Sequence, residues 1–468
     1  AWAVDTLEAH ASDPREQRLD WESLARGCSG SELWDLAQRS LLRQGELHNN
    51  LRMTWGKAVL DWTGGPDEAL ANLFDLNHRY ALDGNDPNSY GGILWCLGQF
   101  DRPFSPEVSV TGTVRPRSVR AHERRLDVDA YRQKVEPPAG GRRLRCVVIG
   151  AGISGLTAAR TLADHGHEVV VVEKGRGPGG RASTRRSEGL RFDHGAQYFT
   201  ARDDRFRRHV LAWRDRGIVA PLTTPIGVAE GGTLRAETRE HERWVGVPGM
   251  SAICATLAKR LDCRFGWRVE ALERGDRTTL TNDSGDSLEA DVVILTAPPI
   301  QAEALLADFP VALPRLPVLA PCWAVLAEFD RSLLPGFGGV FVNEGPLSWV
   351  SAMRGRPGRP DREGWVLHAS PAWSRKHLED PADHVAAALL AAARAIPGAE
   401  AVEALETSAH RWRYAIADAP RHDGALWFEE AGLALCGDWL HGSRVEGAFL
   451  AGASAAGRVL GSRLALGR

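Results

Sequence analysis

The sequence predicts an α/β unit of Rossmann type over its C-terminal two thirds, preceded by an all-α segment. Before about residue 135, apolar residues recur at helical spacing. Further along, short apolar strands alternate with helices, and the first strand runs into a glycine-rich turn. Between the two lies a stretch with Pro and Gly and no periodicity. We therefore predict a helical segment at 1–133, a linker at 134–143 and an α/β unit at 144–468.

Individual elements follow from the same patterns. The apolar spacing predicts helices at 31–44, 46–62 and 66–81, and no strand in the first segment. In the α/β unit, LRCVVIG and HEVVVVEK read as buried strands around the helix SGLTAARTLADHG. Further strands are predicted near 264–272 and 291–296 and at LALCGDWL. Further helices are predicted at 203–216, 251–261, 300–306, 381–395 and 446–460.

Composition narrows the class of protein. The 468 residues suggest two to four domains, and 43% hydrophobic with 25% charged residues is a normal globular balance. The net charge of -3 gives no overall attraction to nucleic acid or membrane. The seven cysteines include no C-x-x-C pair, which favours a reducing compartment over disulfides or structural zinc. We expect a cytoplasmic protein without a metal site or a membrane-spanning segment.

The strongest motif is VVIGAGISGLTAARTLADHGHEVVVVEK. It places Gly150, Gly152 and Gly155 between a strand and a helix, and Glu173 at the end of the next strand. In such a motif the glycines permit a tight turn, close approach of a pyrophosphate and close helix packing, while the acid binds a ribose. The helix N-terminus offers free N–H groups to the phosphates. The complete strand–helix–strand context predicts a dinucleotide site.

Two further segments separate FAD from NAD by resemblance. GRGPGGRAST and CGDWLHGSRVEGAFLAGASAAG resemble the Gly-Gly-Arg extension and the closing flavin motif of amine-oxidase-like flavoproteins. The resemblance implies that Asp438 binds the ribityl or pyrophosphate region and that a helix N-terminus points at the flavin. An ordinary Ala- and Gly-rich helix is the alternative. One non-covalent FAD is expected on Gly150, Gly152, Ser154, Gly155, Glu173, Lys174, Gly180, Arg181, Val269, Gly437, Asp438, Gly447 and Ala448.

Four separated motifs narrow the family. FDHGAQYFTARDDRF, WVGVPGMSAI, WVLHASPAWS and HRWRYA resemble the renalase-like branch of the flavin amine oxidase superfamily. The resemblance implies a fold of para-hydroxybenzoate-hydroxylase type, with a Rossmann-type FAD part and a sheet-based substrate part. It also implies oxidation of isomeric dihydro forms of NAD(P)H, or of an amine-type small molecule, with O2 as acceptor. The expected FAD part is 144–190, 246–300 and 430–468, and the expected substrate part is 191–245 and 301–429.

The chemistry implied by this resemblance needs little acid–base help, because the protein mainly positions a flat ring beside the flavin. We expect shape residues instead of a catalytic triad. His194 is interpreted as a structural histidine more readily than as a base. For each aromatic candidate, a plain core role is the alternative. The candidates are Gln197 and Tyr198 at the flavin, Trp412 and Tyr414 on the substrate side, and Arg413 for a substrate phosphate.

The first segment carries a second resemblance. LWDLAQRSLLRQGELHNNLRMTWGKAVLDWT, LNHRYALDGNDPNSYGGILWCLGQFDRPF and RRLDVDAY resemble the C-terminal part of class II DNA photolyases. The resemblance implies electron-transfer roles for Trp34, Trp55 and Trp62, whose alternative is helix core. It also implies that Asn77 faces the photolyase flavin N5. Asp83, Asn88 and Trp95 would line that pocket.

The rest of a photolyase, including the part that holds the FAD phosphates, has no counterpart in this sequence. The chain is expected to be either a C-terminal piece of a longer photolyase–oxidoreductase fusion, as the absent initiator Met suggests, or a remnant fused to a working oxidase. The basic run VRPRSVRAHERR could contact DNA phosphates, but a solvated face is the favoured reading. A third hypothesis makes the segment a scaffold. We expect one FAD per chain, and no DNA repair.

Overall fold

The computed structural model describes residues 2–238 and 240–467. The chain divides into two compact units. The helical unit comprises Ala1–Arg143, Ala163–His167 and Ala465–Arg468, and the α/β unit comprises Leu144–Leu162 and Glu168–Leu464. Within the described residues, no helix is both long and apolar enough to cross a membrane.

The first 143 residues form helices and no strand within the part that the structure describes, apart from one isolated bridge between Val108 and Gly112. The three helices predicted from apolar spacing are confirmed as α3, α4 and α5. The other five have only 5 to 10 residues each, too few for a clear periodicity. The helices are α1 Trp2–Ala9, α2 Trp21–Ala25, α3 Glu32–Gln44, α4 Asn49–Trp62, α5 Pro66–Tyr80, α6 Pro87–Cys96, α7 Val119–Glu123 and α8 Val128–Val135.

Local chemistry sets the ends of these helices. Helix α3 stops at Gly45, whose φ of 71° is a left-handed conformation that glycine adopts without strain. Helix α5 begins with Pro66, which needs no N–H partner at the first helical position. The Asp86 and Asp127 side chains cap α6 and α8 by accepting backbone N–H bonds. Helix α8 runs to Val135, two residues into the stretch predicted as linker.

The α/β unit is built on two large sheets. A six-stranded sheet has the order β19-β20-β13-β1-β2-β9, parallel except at β19. A seven-stranded sheet has the order β18-β14-β17-β16-β15-β6-β7. Three smaller sheets are β10-β11-β12, β3-β4 and β5-β8. The strands are β1 Arg145–Ile149, β2 Glu168–Glu173, β3 Thr184–Ser187, β4 Leu190–Asp193, β5 Val219–Pro221, β6 Ile226–Glu230, β7 Thr233–Ala236, β8 Trp244–Gly246, β9 Asp262–Phe265, β10 Val269–Arg274, β11 Thr278–Asn282, β12 Ser287–Ala290, β13 Val292–Leu295, β14 Leu319–Phe329, β15 Gly339–Val342, β16 Leu347–Ala352, β17 Gly364–Ala369, β18 Ala404–Ala417, β19 Ala425–Phe428 and β20 Leu433–Cys436.

Helices cover both sheets. The helices predicted in this unit are confirmed within a few residues, and two short helices, Pro371–Lys376 and Arg463–Leu466, were not predicted. Helix α14 packs its buried residues Val385, Leu389 and Ala393 on the core of the seven-stranded sheet. The helices are α9 Ile153–Asp164, α10 Asp204–Asp215, α11 Ser251–Ala258, α12 Pro299–Leu305, α13 Pro371–Lys376, α14 Ala382–Arg394, α15 Val445–Leu460 and α16 Arg463–Leu466.

The six-stranded sheet explains where a ligand can bind. Strands β1, β2, β13 and β20 are parallel and almost wholly buried, as their continuous apolar runs predict. Their carboxyl ends therefore meet at one edge, where open α/β sheets bind ligands. The strand predicted near 264–272 is instead two strands, β9 and β10, in different sheets. Gly266 between them has a φ of +68°, which turns the chain.

Candidate active site

A large cavity of about 1240 Å³ lies in the α/β unit. The ends of β1, β2 and β13 form one part of its wall, and strand β18 and the start of α15 form another. The cavity reaches from Trp267 and Val269 at one end to Tyr198 and Phe341 at the other. Both large sheets contribute residues, so the cavity spans the two layers of this unit.

The glycine-rich turn forms the floor of the cavity. Gly150 has a φ of +110°, and its N–H donates to the Val172 carbonyl at 2.8 Å. A Cβ at Gly155 would collide with the Gly150 carbonyl oxygen, so only glycine lets α9 approach β1 this closely. Nothing lies within 4 Å of a Cβ built at Gly152, which borders the cavity. That open backbone fits a pyrophosphate.

Glu173 stands at the end of β2 and lines the cavity. Its carboxylate accepts the Ala151 N–H at 2.9 Å and the Gly175 N–H at 2.7 Å. It therefore ties the glycine turn to the strand that follows α9. Neighbouring Lys174 also lines the cavity, with its Nζ 3.4 Å from Gln301 Oε1.

The Gly-Gly-Arg segment and the closing motif meet at one ion pair. Arg181 donates from Nη2 to Asp438 Oδ1 at 2.6 Å and from Nη1 to the Ala415 carbonyl at 2.9 Å. Both side chains line the cavity, and the Asp438 side chain is only 11% exposed. Gly180 packs on the glycine turn, since a Cβ there would lie 3.3 Å from the Gly152 Cα. Residues 257 positions apart thus form one wall.

The first turn of α15 borders the same cavity. Ala448 lines it, and Ser154 donates from Oγ to the Ala448 carbonyl at 2.8 Å. Gly447 is packed against the His441 carbonyl so tightly that a Cβ would collide with it. Glu446 accepts the N–H groups of Arg202 and Asp203 at 2.6 and 2.8 Å. The N-terminus of a 16-residue helix is thereby presented to the cavity.

The predicted cofactor residues therefore converge. Gly155 and Gly447 do not line the cavity but set the packing behind it. The remaining predicted residues all line the cavity: Gly150, Gly152, Ser154, Glu173, Lys174, Gly180, Arg181, Val269, Gly437, Asp438 and Ala448.

The predicted flavin-facing pair occupies two different places. Tyr198 lines the cavity, 5.5 Å from the Trp349 ring, and burial raises the pKa of its hydroxyl. Gln197 is buried behind the wall, where its Oε1 accepts the Trp349 indole N–H at 2.7 Å. Its Nε2 lies 3.3 Å from His368 Nε2. The Gln197 amide thus holds Trp349 in position, while His368 donates from Nε2 to the His194 carbonyl at 3.0 Å.

Two histidine rings contact Trp412, and a third histidine, His368, bonds the same His194 carbonyl as Trp412 does. His194 stacks on the Trp412 ring at 5.0 Å, and His410 meets it edge-on at 4.5 Å. Trp412 donates from Nε1 to the His194 carbonyl at 2.9 Å. Burial lowers the pKa of His194 to about 3 and also lowers the pKa values of His368 and His410. All three imidazoles are neutral near pH 7, and a lowered pKa makes them weak bases.

Arg413 and Tyr414 follow Trp412 on β18, and both line the cavity. The Arg413 guanidinium forms two hydrogen bonds with Glu379, at 2.6 and 2.9 Å. Arg411 donates to the same carboxylate at 2.7 Å. Binding of a substrate phosphate by Arg413 stays a prediction, and it would have to compete with Glu379.

Sequence reasoning missed several lining residues. Arg202, Arg243 and Arg444 border the Tyr198 end of the cavity, and His368 lies near Trp412. Arg202 and Arg444 stand inside quoted motifs, where a basic residue beside a cofactor segment was the available signal. Arg243 has no local signal, because only tertiary folding brings it to Tyr198.

The helical unit brings its predicted tryptophans together. The Trp34 ring stacks on Trp55 at 6.3 Å and meets Trp62 edge-on at 5.2 Å. Trp34 donates to the Trp55 carbonyl at 2.8 Å, and Trp55 donates to Gln38 at 2.9 Å. Asn77 is fully buried, and neither amide atom has a hydrogen-bond partner among the described residues. Its proposed flavin contact stays a prediction.

Comparison with known proteins decides the family. Residues 227–460, half of the chain, match the family of flavin containing amine oxidoreductases. Residues 148–212 match the NAD(P)-binding Rossmann-like domain. The chain belongs to the flavin-containing amine oxidoreductase family. Its cofactor is FAD.

Curated relatives match separate stretches of the chain. Deoxyribodipyrimidine photo-lyase of Methanothermobacter thermautotrophicus is 36% identical over 134 residues, 29% of this chain and 30% of that protein. The Oryza sativa photo-lyase is 37% identical over 145 residues, 31% of this chain and 28% of that protein. Putative flavin-containing monoamine oxidase AofH of Mycobacterium tuberculosis is 33% identical over 138 residues, 25% of this chain and 30% of that protein. The chain thus spans under a third of each.

Solved structures agree on the fold. A putative protoporphyrinogen oxidase from Exiguobacterium covers 67% of this chain and 98% of its own, with a TM-score of 0.54 and 16% identity. An engineered putrescine oxidase covers 68% of this chain and 99% of its own, with a TM-score of 0.51 and 15% identity. At such identities the likeness extends to the fold alone.

The residues present fit FAD. The turn at Gly150–Gly155 leaves open backbone where a pyrophosphate binds, and the α15 N-terminus faces the other end of the cavity. Glu173 stands where a ribose-binding acid is required, and Val269 lines the end beyond it. The cavity is large enough for a dinucleotide together with a small substrate.

The close packing at Gly155 makes a testable prediction. We expect Gly155→Ala to force α9 away from β1, at a cost of about 1–3 kcal/mol in unfolding free energy. Because the shift widens the turn, the purified variant should also lose most of its FAD. Flavin absorbance per chain and thermal unfolding measure the two effects.

Gly457→Ala is the matched control. Gly457 also lies in a helix, but nothing stands within 4 Å of its Cβ position. Alanine there should stabilise the protein by about 0.5–1 kcal/mol and leave FAD content unchanged. Equal FAD content and equal stability in both variants would contradict the packing argument.

Proposed function

We propose that this chain is a renalase-like oxidase that removes a hydride from a dihydronicotinamide or amine-type small molecule, with O2 as acceptor. Of the two substrate types, the dihydronicotinamide is favoured. The observation that carries this choice is the pairing of the aromatic lining at Trp412 and Tyr414 with a lining histidine, His368, whose pKa burial lowers. A flat ring needs such walls, and hydride loss from it needs no base.

Each lining residue has a role in this proposal. Tyr198, Trp412 and Tyr414 provide flat apolar surfaces that hold a substrate ring and keep water away. Gln197 keeps Trp349 in place through its buried amide, and the His194 carbonyl accepts a hydrogen bond from His368. Arg181 and Asp438 hold the cofactor wall together by their ion pair. Bound FAD supplies a two-electron acceptor for the hydride, and O2 regenerates it with formation of H2O2.

We also propose a division of labour within the α/β unit. Residues 144–190, 246–300 and 430–468 hold FAD, and residues 191–245 and 301–429 bind the substrate. The cavity supports this division because both sets contribute lining residues. A cytoplasmic location is proposed as well, and all seven cysteines are free, as a reducing compartment favours.

The first test is anaerobic mixing of the FAD-bound protein with a panel of reductants. The panel contains NADH, NADPH, their isomeric dihydro forms and several primary amines. We expect rapid bleaching of flavin absorbance by the isomeric dihydropyridines and slow or no bleaching by the amines. Bleaching by an amine alone, or by nothing in the panel while FAD stays bound, would contradict the proposal.

The pH dependence provides an independent test. Burial lowers the pKa values of His194, His368 and His410, so each is protonated only below its ordinary pKa of about 6.5. Burial raises the pKa of Tyr198, so it stays neutral. We expect kcat/KM for a dihydropyridine to be flat between about pH 7 and pH 9. An amine substrate would instead give a rate that rises through the pKa of the amine.

A second candidate function is supported by Asn77 and the three tryptophans. The chain would then be the C-terminal portion of a class II photolyase, fused to an oxidoreductase. A fully buried amide without a partner suits a pocket that a flavin completes. The match nevertheless covers 30% of the photolyase, so light-driven DNA repair needs residues that this sequence lacks.

Flavin stoichiometry separates the two candidates. We expect one FAD per chain, because the described glycine turn that suits a pyrophosphate lies in the α/β unit. Extraction of FAD from a known amount of protein measures the ratio. Blue-light repair of an oligonucleotide with a thymine dimer is the companion assay, and we expect no repair. A ratio near two, together with repair, would favour the photolyase reading.

A further inference from the structure

Three arginines border the cavity at its Tyr198 end, and the proposed mechanism gives them no role. Arg202 follows the segment that contains Tyr198, Arg243 precedes strand β8, and Arg444 is the N-cap residue of α15. They come from three separate parts of the sequence. Their convergence therefore depends on tertiary structure.

Arg243 is the anchored member of the group. Its side chain is only 12% exposed and pairs through both terminal nitrogens with Glu237. The guanidinium carbon lies 5.0 Å from the Tyr198 ring centre and 5.6 Å from the Phe341 ring centre. Two aromatic rings and one carboxylate thus fix a cation at the cavity wall.

Arg202 and Arg444 have no such anchor. Among the described residues, neither guanidinium has a hydrogen bond or ion pair, although both line the cavity. Glu446 links the two segments, because it lies in the first turn of α15, two residues after Arg444, and its carboxylate accepts the Arg202 N–H. Both cations are therefore held near the first turn of α15 while their charged ends stay available.

The charges at this end do not cancel. Three arginines and one carboxylate, Glu446, line this end, and a second carboxylate, Glu237, pairs with Arg243 from outside the lining. Glu237 is engaged by Arg243, and Glu446 already accepts two backbone N–H groups. Nearby Asp203 is paired with Arg205. The Tyr198 end therefore keeps an excess of positive charge that a protonated amine would meet with repulsion.

We propose that Arg202, Arg243 and Arg444 form an anion subsite that binds the phosphate of a nucleotide-type dihydronicotinamide substrate. This inference rests on the proposed function for the identity of the ring, but not for the anion. Guanidinium groups bind phosphate oxygens through paired, charge-assisted hydrogen bonds, and Arg243 provides a fixed point for them. Arg202 and Arg444 would close on the phosphate from the α15 side.

The decisive experiment compares two substrates that differ only in the phosphate. They are the isomeric dihydro forms of nicotinamide mononucleotide and of nicotinamide riboside. In the FAD-bound protein, we expect Arg202→Gln and Arg444→Gln each to lower kcat/KM for the mononucleotide about tenfold or more, mainly through KM. In the same variants, kcat/KM for the riboside should change by less than about twofold, because the riboside has no phosphate for the arginines to contact.

Arg458→Gln is the matched control. Arg458 is an exposed arginine in the same helix, α15, but it lies near the other end of the helix and does not line the cavity. The Arg458→Gln variant should have the same kcat/KM as the unaltered protein for both substrates. FAD content of every variant is measured alongside. Loss of FAD from Arg202→Gln or Arg444→Gln would overturn the assignment, because the arginines would then serve the cofactor.

Inorganic phosphate tests the subsite without turnover. Titration of the FAD-bound protein with phosphate at constant ionic strength, followed by calorimetry, should show binding that Arg444→Gln weakens and Arg458→Gln does not. Phosphate binding without any dihydropyridine oxidation would support the subsite while the proposed function fails. Equal use of riboside and mononucleotide by all variants, with no phosphate binding, would overturn the subsite alone.

Discussion

Close approach of two backbones at the β1–α9 turn is the constraint on which the site depends. Gly155 lies so near the Gly150 carbonyl that a single methyl group would separate helix from strand. This contact sets the direction in which the α9 N-terminus points and leaves the Gly152 backbone bare. Glu173 then closes the turn by accepting the Ala151 N–H. The phosphate-binding floor is therefore formed by exposed backbone at glycine residues, because side chains there would block the approach of a phosphate.

Two polar contacts connect the glycine-rich turn to the other walls of the cavity. The Arg181–Asp438 ion pair links the segment after β2 with the segment before α15, and the Ser154 hydroxyl links α9 with α15. A partly buried ion pair with one side chain 11% exposed contributes through geometry as well as charge. The cofactor wall is thus assembled from three distant stretches that are held by directional bonds. Loss of one bond would disturb the other walls.

The substrate side depends on a different buried network. Asp193 is fully buried and pairs with Arg359, and Arg356 donates to the Gln197 carbonyl at 2.7 Å. Loss of one partner would leave an uncompensated buried charge, which is strongly unfavourable. The pair therefore fixes the turn that contains His194 and Gln197. Tyr198 follows this turn directly, and Trp412 and Tyr414 lie on β18. The Tyr198 end of the cavity is basic, whereas the Trp267 end is lined by acidic and basic residues together.

The sequence alone predicted the dinucleotide fold, because short-range glycine spacing and strand periodicity encode it within about 30 residues. FAD was predicted from the resemblance of two further segments, and most of the predicted cofactor residues line the cavity. The helices α3 to α5 and the parallel strands were also predictable, since their apolar repeats are long and regular. Tertiary structure decided that Gln197 supports the wall from behind, that Arg413 is held by Glu379, and that Arg243 reaches Tyr198. These contacts join side chains from different sheets and loops. A local sequence pattern does not predict a contact between residues that lie far apart in the chain.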